Sequence, residues 1–550
     1  MTVVACTLAG LCPSFLPDLS RTDAPARLEA QVQESKDLTV QQVRELIATL
    51  GQEGYPEEAM MSLGKSYRTS LSLLIEALSS PDPRIRRRCA DLLGKIGAAD
   101  AGPALIKALG DDDEGVRATA AYGLGYFSYK GAEPGLVALF SDNSERVRRN
   151  AARAVGFLME TAEPFVLQAL SDSDPMARAT AVNALRNESR YENRITSLLT
   201  DPSPIVRAAA LQSIGSTESA KKNEASVLEA ITDASPVVRA AAANAIVAIE
   251  SEVAARAVTS LMHDKEQSVR VAVLESLANR GYLTQHHPDS ALIEGVRGAL
   301  GDSDSNVRIA ALGAVVPLGL VELLPDCMKL MNSSDRRLAV LAAGNAYALR
   351  PTGPESSAAV SVVTDALLSH PDEDVRVIAA KTLEKIDLNE SIDALCRALL
   401  SDSAPYVRST SAFALYRLES PRAQDSLIKA LEDADGETLR GSAAALETLK
   451  DPRAFEPLLK ATFKSDSYHR AWALNSLAWL DAERAAPRVI ELLTDSSDFV
   501  RLIAVETLQR FPSTKAKRAL QDVAANDWSK HVRDKAKAAL RRQQDPVHEA

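Results

Sequence analysis

Aromatic residues are scarce in this chain, at 4% of 550 residues, with three tryptophans among them. β-Sheets draw on aromatic and β-branched side chains, so the shortage speaks against a sheet protein. The hydrophobic fraction is nonetheless 46%. Ala, Leu and Val supply most of it, a mix suited to closely packed helices. Cysteine is rare as well. Cys6, Cys12, Cys89, Cys327 and Cys396 are scattered without a CxxC pair, which removes the usual zinc and dithiol spacings. A reducing, cytoplasmic compartment is expected. Basic charge is in deficit: 63 Lys and Arg stand against 74 Asp and Glu, for a net charge of −11. A general duplex-DNA binder needs a basic surface to displace counterions, so nucleic acid is not the expected partner. No apolar run reaches the roughly 18 uninterrupted residues of a membrane span. The longest, Leu312 to Leu324, is broken by Glu322 and reads as a buried helix. Residues 1–17 carry no charge and lack the basic n-region of a secretory signal, so no export signal is expected there.

What the chain has in abundance is one repeated phrase. An Asp, a few polar residues and an aliphatic-Arg pair lead into an Ala-rich run ending in Leu or Ile. Clear copies are Asp111 to Val116-Arg117, Asp142 to Val147-Arg148, Asp201 to Val206-Arg207, Asp233 to Val238-Arg239, Asp264 to Val269-Arg270, Asp302 to Val307-Arg308, Asp402 to Val407-Arg408 and Asp495 to Val500-Arg501. Read through the chain, the arginine falls at Arg86, Arg117, Arg148, Arg178, Arg207, Arg239, Arg270, Arg308, Arg337, Arg376, Arg408, Arg440, Arg470, Arg501 and Arg533. An Asp stands six residues earlier in ten of these copies. Most steps are 29 to 32 residues, and two are longer: Arg270 to Arg308 and Arg337 to Arg376. A period of that size means a stack of supersecondary units.

Each unit reads as two antiparallel helices. The first is amphipathic, as in Ala104 to Leu109. The second starts just before the Arg, where Ser203-Pro204, Ser235-Pro236, Asp174-Pro175 and Asp82-Pro83 each put an N-cap residue before a first-turn proline. Val116, Ala120 and Leu124 share one face of that helix, and Gly97 and Gly215 mark the turn to the next unit. One such pair cannot bury its own apolar face, but a row of pairs can. The fold class is therefore all-α, an α-α superhelix of about fifteen two-helix repeats. At roughly 8–10 Å per helix layer it would extend on the order of 130 Å.

The Asp…Val-Arg…Ala…Leu pattern at this period resembles HEAT repeats, and more narrowly the short bacterial repeats of the phycobilin lyase E/F-like proteins. The resemblance covers about residues 38–545. It implies that the Asp and Arg form ladders between neighbouring repeats, and that the second helices line a concave, partner-binding surface. It also implies a weaker ladder where Ala434 and Lys464 replace Asp. Three functional classes follow. The leading one is a non-catalytic scaffold or adaptor that binds another protein. The alternatives are a bilin lyase or lyase-like subunit with a bilin chromophore as ligand, and a HEAT-like nucleic-acid binder.

Along the chain, residues 1–37 lack periodicity and are expected to be mostly disordered. Residues 38–67 form a helical N-terminal cap. Repeats 1–7 occupy 68–280, repeats 8–9 occupy 281–350, and repeats 10–15 occupy 351–545 with a charged C-terminal cap. The segments Thr284 to Ser290 and Pro351 to Ser357 read as inter-repeat loops.

The chemistry of catalysis is hard to find. There is no HExxH, GxSxG or GxGxxG, and no cofactor is implied. Gly64-Lys65-Ser66 has the end of a phosphate-binding loop, but Ala59 stands where its first Gly belongs. His286-His287 is the only histidine pair and lacks further ligands nearby, so a solvated loop is its plainer reading and no metal site is assigned. The HEAT-type deoxyhypusine hydroxylases hold iron through several His-Glu pairs, whereas this chain has only His548-Glu549. Binding residues come instead from positions one, five and nine after the ladder Arg, which share a face. Reading them off gives Arg87, Asp91 and Lys95, then Tyr122 and Tyr126, then Arg149, Arg153 and Phe157. Such exposed aromatics and arginines are common in binding hot spots. Trp479 is a second candidate, while Trp472 falls where Ala is usual and reads as packing.

Overall fold

The structure is a computed structural model. It describes residues 38–544 apart from 55, 187–188, 216, 250, 281–288, 433–434 and 465. Every regular element among them is helical, and none is long and apolar enough to cross a membrane. The expected disordered segment 1–37, the His286-His287 pair, His548-Glu549, Cys6 and Cys12 lie outside the described residues.

The chain alternates short first helices with longer second helices. Pairs such as Gly102–Ala108 with Glu114–Tyr126, and Glu252–Leu261 with Gln267–Arg280, show the unit. Val116, Ala120 and Leu124 are fully buried, as their spacing on one face requires. Successive second helices pack closely along the row. A Cβ on Gly94 would lie 2.7 Å from the Gly123 Cα of the next repeat, so the two backbones touch there. This close layer is the inside of the curve.

The repeated Asp and Arg meet across most of the described repeat boundaries, while among the described residues Arg148 bonds only to carbonyls of its own repeat and not to Asp172. Arg86 holds Asp111 of the following repeat through two bonds of 2.7 Å. Arg117 holds Asp142 in the same way, at 2.7 and 3.0 Å. Among the described residues the pattern recurs as Arg178–Asp201, Arg207–Asp233, Arg239–Asp264, Arg270–Asp302, Arg376–Asp402, Arg470–Asp495 and Arg501–Asp527. Each Arg also donates backwards. Arg117 Nη1 reaches the carbonyls of Asp111 and Asp112 in its own repeat, at 2.8 and 3.1 Å. One guanidinium thus ties two successive loops together, a geometry that its planar fork of donors permits.

The Asp has a second task that bears on the capping reading. Ser203 and Ser235 occupy the N-cap positions but accept no bond there. Instead their backbone N–H groups donate to Asp201 and Asp233, each at 2.8 Å. Asp174 and Asp82 do cap, accepting from the N–H of Met176 and Arg84. Gly97 is left-handed at the end of its helix, with φ 65°, whereas Gly215 has φ −63° and makes no such cap.

Two assignments shift in register. The N-cap normally stands four residues before the ladder Arg, as Asp113 does for Arg117 and Asp304 for Arg308. In the ninth and twelfth repeats the N-caps are Asp335 and Asp435. The ladder positions there are consequently Ala339 and Leu439, both buried, not Arg337 and Arg440. Corrected, the steps from 308 to 339, 408 to 439 and 439 to 470 are all 31 residues. Ser333 then replaces the ninth repeat's Asp, and Ser305 bridges instead to Asp335 at 2.6 Å. The segment Pro351 to Ser357 is not a loop throughout. A helix begins at Pro354 behind Gly353, whose φ is 114°, so the extra residues lengthen the first helix to Pro354–Ser369.

The row is not a free-ended rod. Lys95 lies 3.2 Å from Asp498, Glu57 lies 3.7 Å from Arg470, and the Tyr126 and His531 rings are 4.8 Å apart. A Cβ on Gly64 would meet the Trp528 ring at 2.5 Å. The helix Glu57–Lys65 thus runs across the loop edge of the last three repeats, and the superhelix closes after one turn along a seam. The final helix, Lys530–Gln544, is accordingly not a purely solvated cap. Lys530 reaches across the seam, where it would meet a Cβ on Gly97 at 2.7 Å.

Candidate binding surface on the inner wall

The second helices present their wall-facing side chains at positions one, five and nine after the corrected ladder position. In the first repeat these are Arg87, Asp91 and Lys95, and in the second Ala118, Tyr122 and Tyr126. The third gives Arg149, Arg153 and Phe157. Tyr122 and Tyr126 stack 5.5 Å apart. They line a cleft of about 270 Å³ with Lys95 from their own side of the seam and Asp498, Phe499 and His531 from the other. Burial, then the neighbouring Tyr122, drives the Tyr126 phenol well above its usual value. Burial, then the charge of Lys535, lowers the His531 imidazole, so the ring against Tyr126 favours its neutral form.

Beyond the seam cleft the wall opens. Phe157 is 57% exposed. Arg153 and Arg87 are exposed, and among the described residues Arg149 pairs with Glu145 on its own helix, at 2.6 Å. Trp479 is 49% exposed. It stands edge-on to Phe511 at 5.6 Å, with the Arg510 guanidinium 5.4 Å from its ring. Trp479 is far from Tyr122 in sequence, and closure of the turn brings both to one arc of the wall.

Several wall residues escaped the sequence reading. Arg440 follows the buried ladder position Leu439 and sits between the Phe413 ring at 4.5 Å and the Trp472 ring at 5.1 Å. Trp472 in turn meets Phe499 at 6.1 Å. An aromatic and arginine row therefore runs from Phe413 to the seam cleft. Register is the signal that finds it: the N-cap at Asp435 makes Leu439 the ladder position and puts Arg440 on the wall. Gly64 and Lys65 are not in a phosphate loop, since Gly64 lies under Trp528 at the seam. Among the described residues no group of His, Cys, Asp and Glu has the geometry of a metal site. Cys89, Cys327 and Cys396 are free and buried, and burial pushes the Cys89 thiol up to about 12.

A family profile described as HEAT repeats matches residues 43–125, 102–186, 191–278, 321–416, 392–464 and 455–541. No curated protein matches the chain. Among solved structures, Kap121p bound to Pho4p is similar with a TM-score of 0.55 at 13% identity, over 96% of this chain and 72% of that one. Yeast importin-beta (Kap95p) is similar at 0.48 and 14% identity, over 95% and 80%.

Proposed function

The chain belongs to the HEAT repeat family, and from that premise we propose that it is a non-catalytic scaffold or adaptor holding a protein partner against its inner wall. The observation that carries this reading is the set of large side chains left exposed on that wall. Phe157 and Trp479 are about half exposed, and Arg87 and Arg153 are exposed on the same layer of second helices. Aromatic and Arg anchors on a preorganised surface are what protein interfaces concentrate their binding energy in. Kap121p, which has this fold, was crystallised with a protein bound, Pho4p. The test is affinity capture from native lysate with the full chain and with a Tyr122→Ala, Tyr126→Ala, Arg153→Ala variant. The variant is expected to lose the specific partners. Equal recovery by both proteins would remove this surface from consideration.

A further inference from the structure

The inner wall is not chemically uniform. In the fifth to ninth repeats, positions one, five and nine carry small or neutral residues such as Gln212, Asn244, Gly313 and Gly344, and Glu275 is the single charge among those described. In the other ten repeats the same positions carry ten Lys or Arg against three Asp or Glu, namely Asp91, Glu506 and Asp534. The chain as a whole has a net charge of −11, so this arc runs against the overall balance. Closure of the turn places the first and last repeats side by side, which joins their wall positions into one basic arc crossing the seam. Some of its cations are engaged: Lys95 with Asp498, Arg417 with Glu384 at 3.1 Å, and Arg149 with Glu145 and Arg440 with Glu437, both at 2.6 Å. Arg153, Arg87 and Lys385 are exposed. The aromatic side chains Tyr122, Phe157, Phe413 and Trp479 fall on the same arc, and the neutral third has no aromatic at these positions.

We propose that the seam-side arc of the inner wall binds an acidic polypeptide segment that carries apolar or aromatic anchors. The proposal rests on the scaffold reading and names the chemistry of its partner. Charge complementarity decides the sign: a basic segment would meet like charge at Arg87, Arg153 and Lys385, and repulsion of that kind costs affinity and slows encounter. The interleaved rings call for apolar or aromatic groups beside the negative charge; nucleobases also stack on such rings, so the oligonucleotide is the competing probe in the test. The acidic remainder of the molecule also repels any polyanion longer than the arc.

The experiment uses the full chain and three labelled probes of similar length. One is a peptide of about sixteen residues with glutamate interspersed with leucine and phenylalanine. The second is the same peptide with lysine for glutamate, and the third is a single-stranded oligonucleotide. Binding is followed by fluorescence anisotropy. The acidic peptide is expected to bind and to weaken as salt rises from about 50 to about 300 mM. Arg149→Glu with Arg153→Glu is expected to weaken it about tenfold or more. Gln212→Glu with Asn244→Glu, on the neutral third, is expected to change it less than about twofold. Circular dichroism checks that each variant is folded. Tighter binding of the lysine peptide or of the oligonucleotide overturns the proposal, as do equal effects of the two variant pairs or no binding of the acidic peptide. Failure here with loss of lysate partners in the Tyr122, Tyr126, Arg153 variant leaves the scaffold standing with a different partner chemistry. Failure of both experiments removes the scaffold reading too.

Discussion

Each Asp–Arg rung takes two ions largely out of water and recovers the cost through paired, charge-assisted bonds. At Arg239–Asp264 the side chains are only 7% and 11% exposed. Deleting one partner should therefore hurt more than replacing both. Asp264→Ala is expected to cost about 3 kcal/mol of local stability, because Arg239 stays buried without its counter-charge. Arg239→Met with Asp264→Leu should recover most of that. Amide hydrogen exchange over residues 233–270 reads both, since a long repeat array need not unfold in one step. The rungs also set an acid limit. Burial raises the Asp142 carboxyl, but Arg117 and the Ser144 N–H outweigh it and hold it below the usual range. Asp111 and Asp201 behave alike. A depressed folded-state value means stabilisation that is intact above the ordinary aspartate value near 4 and lost as pH falls through the folded value. Glu447 has the opposite sign. Burial pushes it up to about 7, against a hydrogen bond to Ser476 and the charge of Arg510. Its stabilising share is full below the ordinary glutamate value and disappears as pH rises through about 7. Glu447→Gln should therefore match the native protein in thermal melts in mild acid and exceed it above neutrality.

At the scale of the helix pair, most of the fold was legible because one local signal recurs. The Asp, six residues from its Arg, and the Ala-rich run after it are determined by backbone distances inside one turn and its helix. Arg337 and Arg440 were misplaced for the same reason. An aliphatic-Arg pair is a weaker marker of helix start than the N-cap, and Asp335 and Asp435 set the start two residues later and one residue earlier than those arginines suggest. The twelfth repeat is the place to test this. Leu439 is buried where a ladder Arg belongs, and Lys464 stands at the next repeat's Asp position. Leu439→Arg alone is expected to destabilise by about 2 kcal/mol or more, as an unpaired buried cation. Adding Lys464→Asp should supply the rung and recover stability, seen as restored exchange protection across residues 436–480. The glycine contact between repeats gives a complementary test. Gly94→Ala drives a methyl into the Gly123 backbone and should cost about 1–3 kcal/mol, as overpacking does.

At the scale of the molecule, closure was not legible, because it is the sum of many small rotations between neighbours. No residue pair near in sequence encodes it, and Lys95 and Asp498 meet only when every intermediate repeat has its angle. The seam also differs in kind from the repeat boundaries. Those share a continuous apolar core and buried rungs, whereas the seam rests on Trp528 over Gly64, the Tyr126–His531 contact and a few ion pairs such as Lys95–Asp498, whose side chains are 22% and 21% exposed. Partly hydrated pairs are screened by salt and individually worth little. The turn should therefore open at the seam before any repeat unfolds. Lys95→Glu places like charge against both Asp91 and Asp498, and Glu57→Lys does the same against Arg470. The double variant is expected to show a larger maximum dimension in solution scattering with unchanged helical circular dichroism. Its added hydrogen exchange should be confined to residues 57–97 and 498–531. An unchanged scattering profile would mean that the ring is held by the curvature of the repeats alone, and that the seam contacts follow from closure rather than cause it.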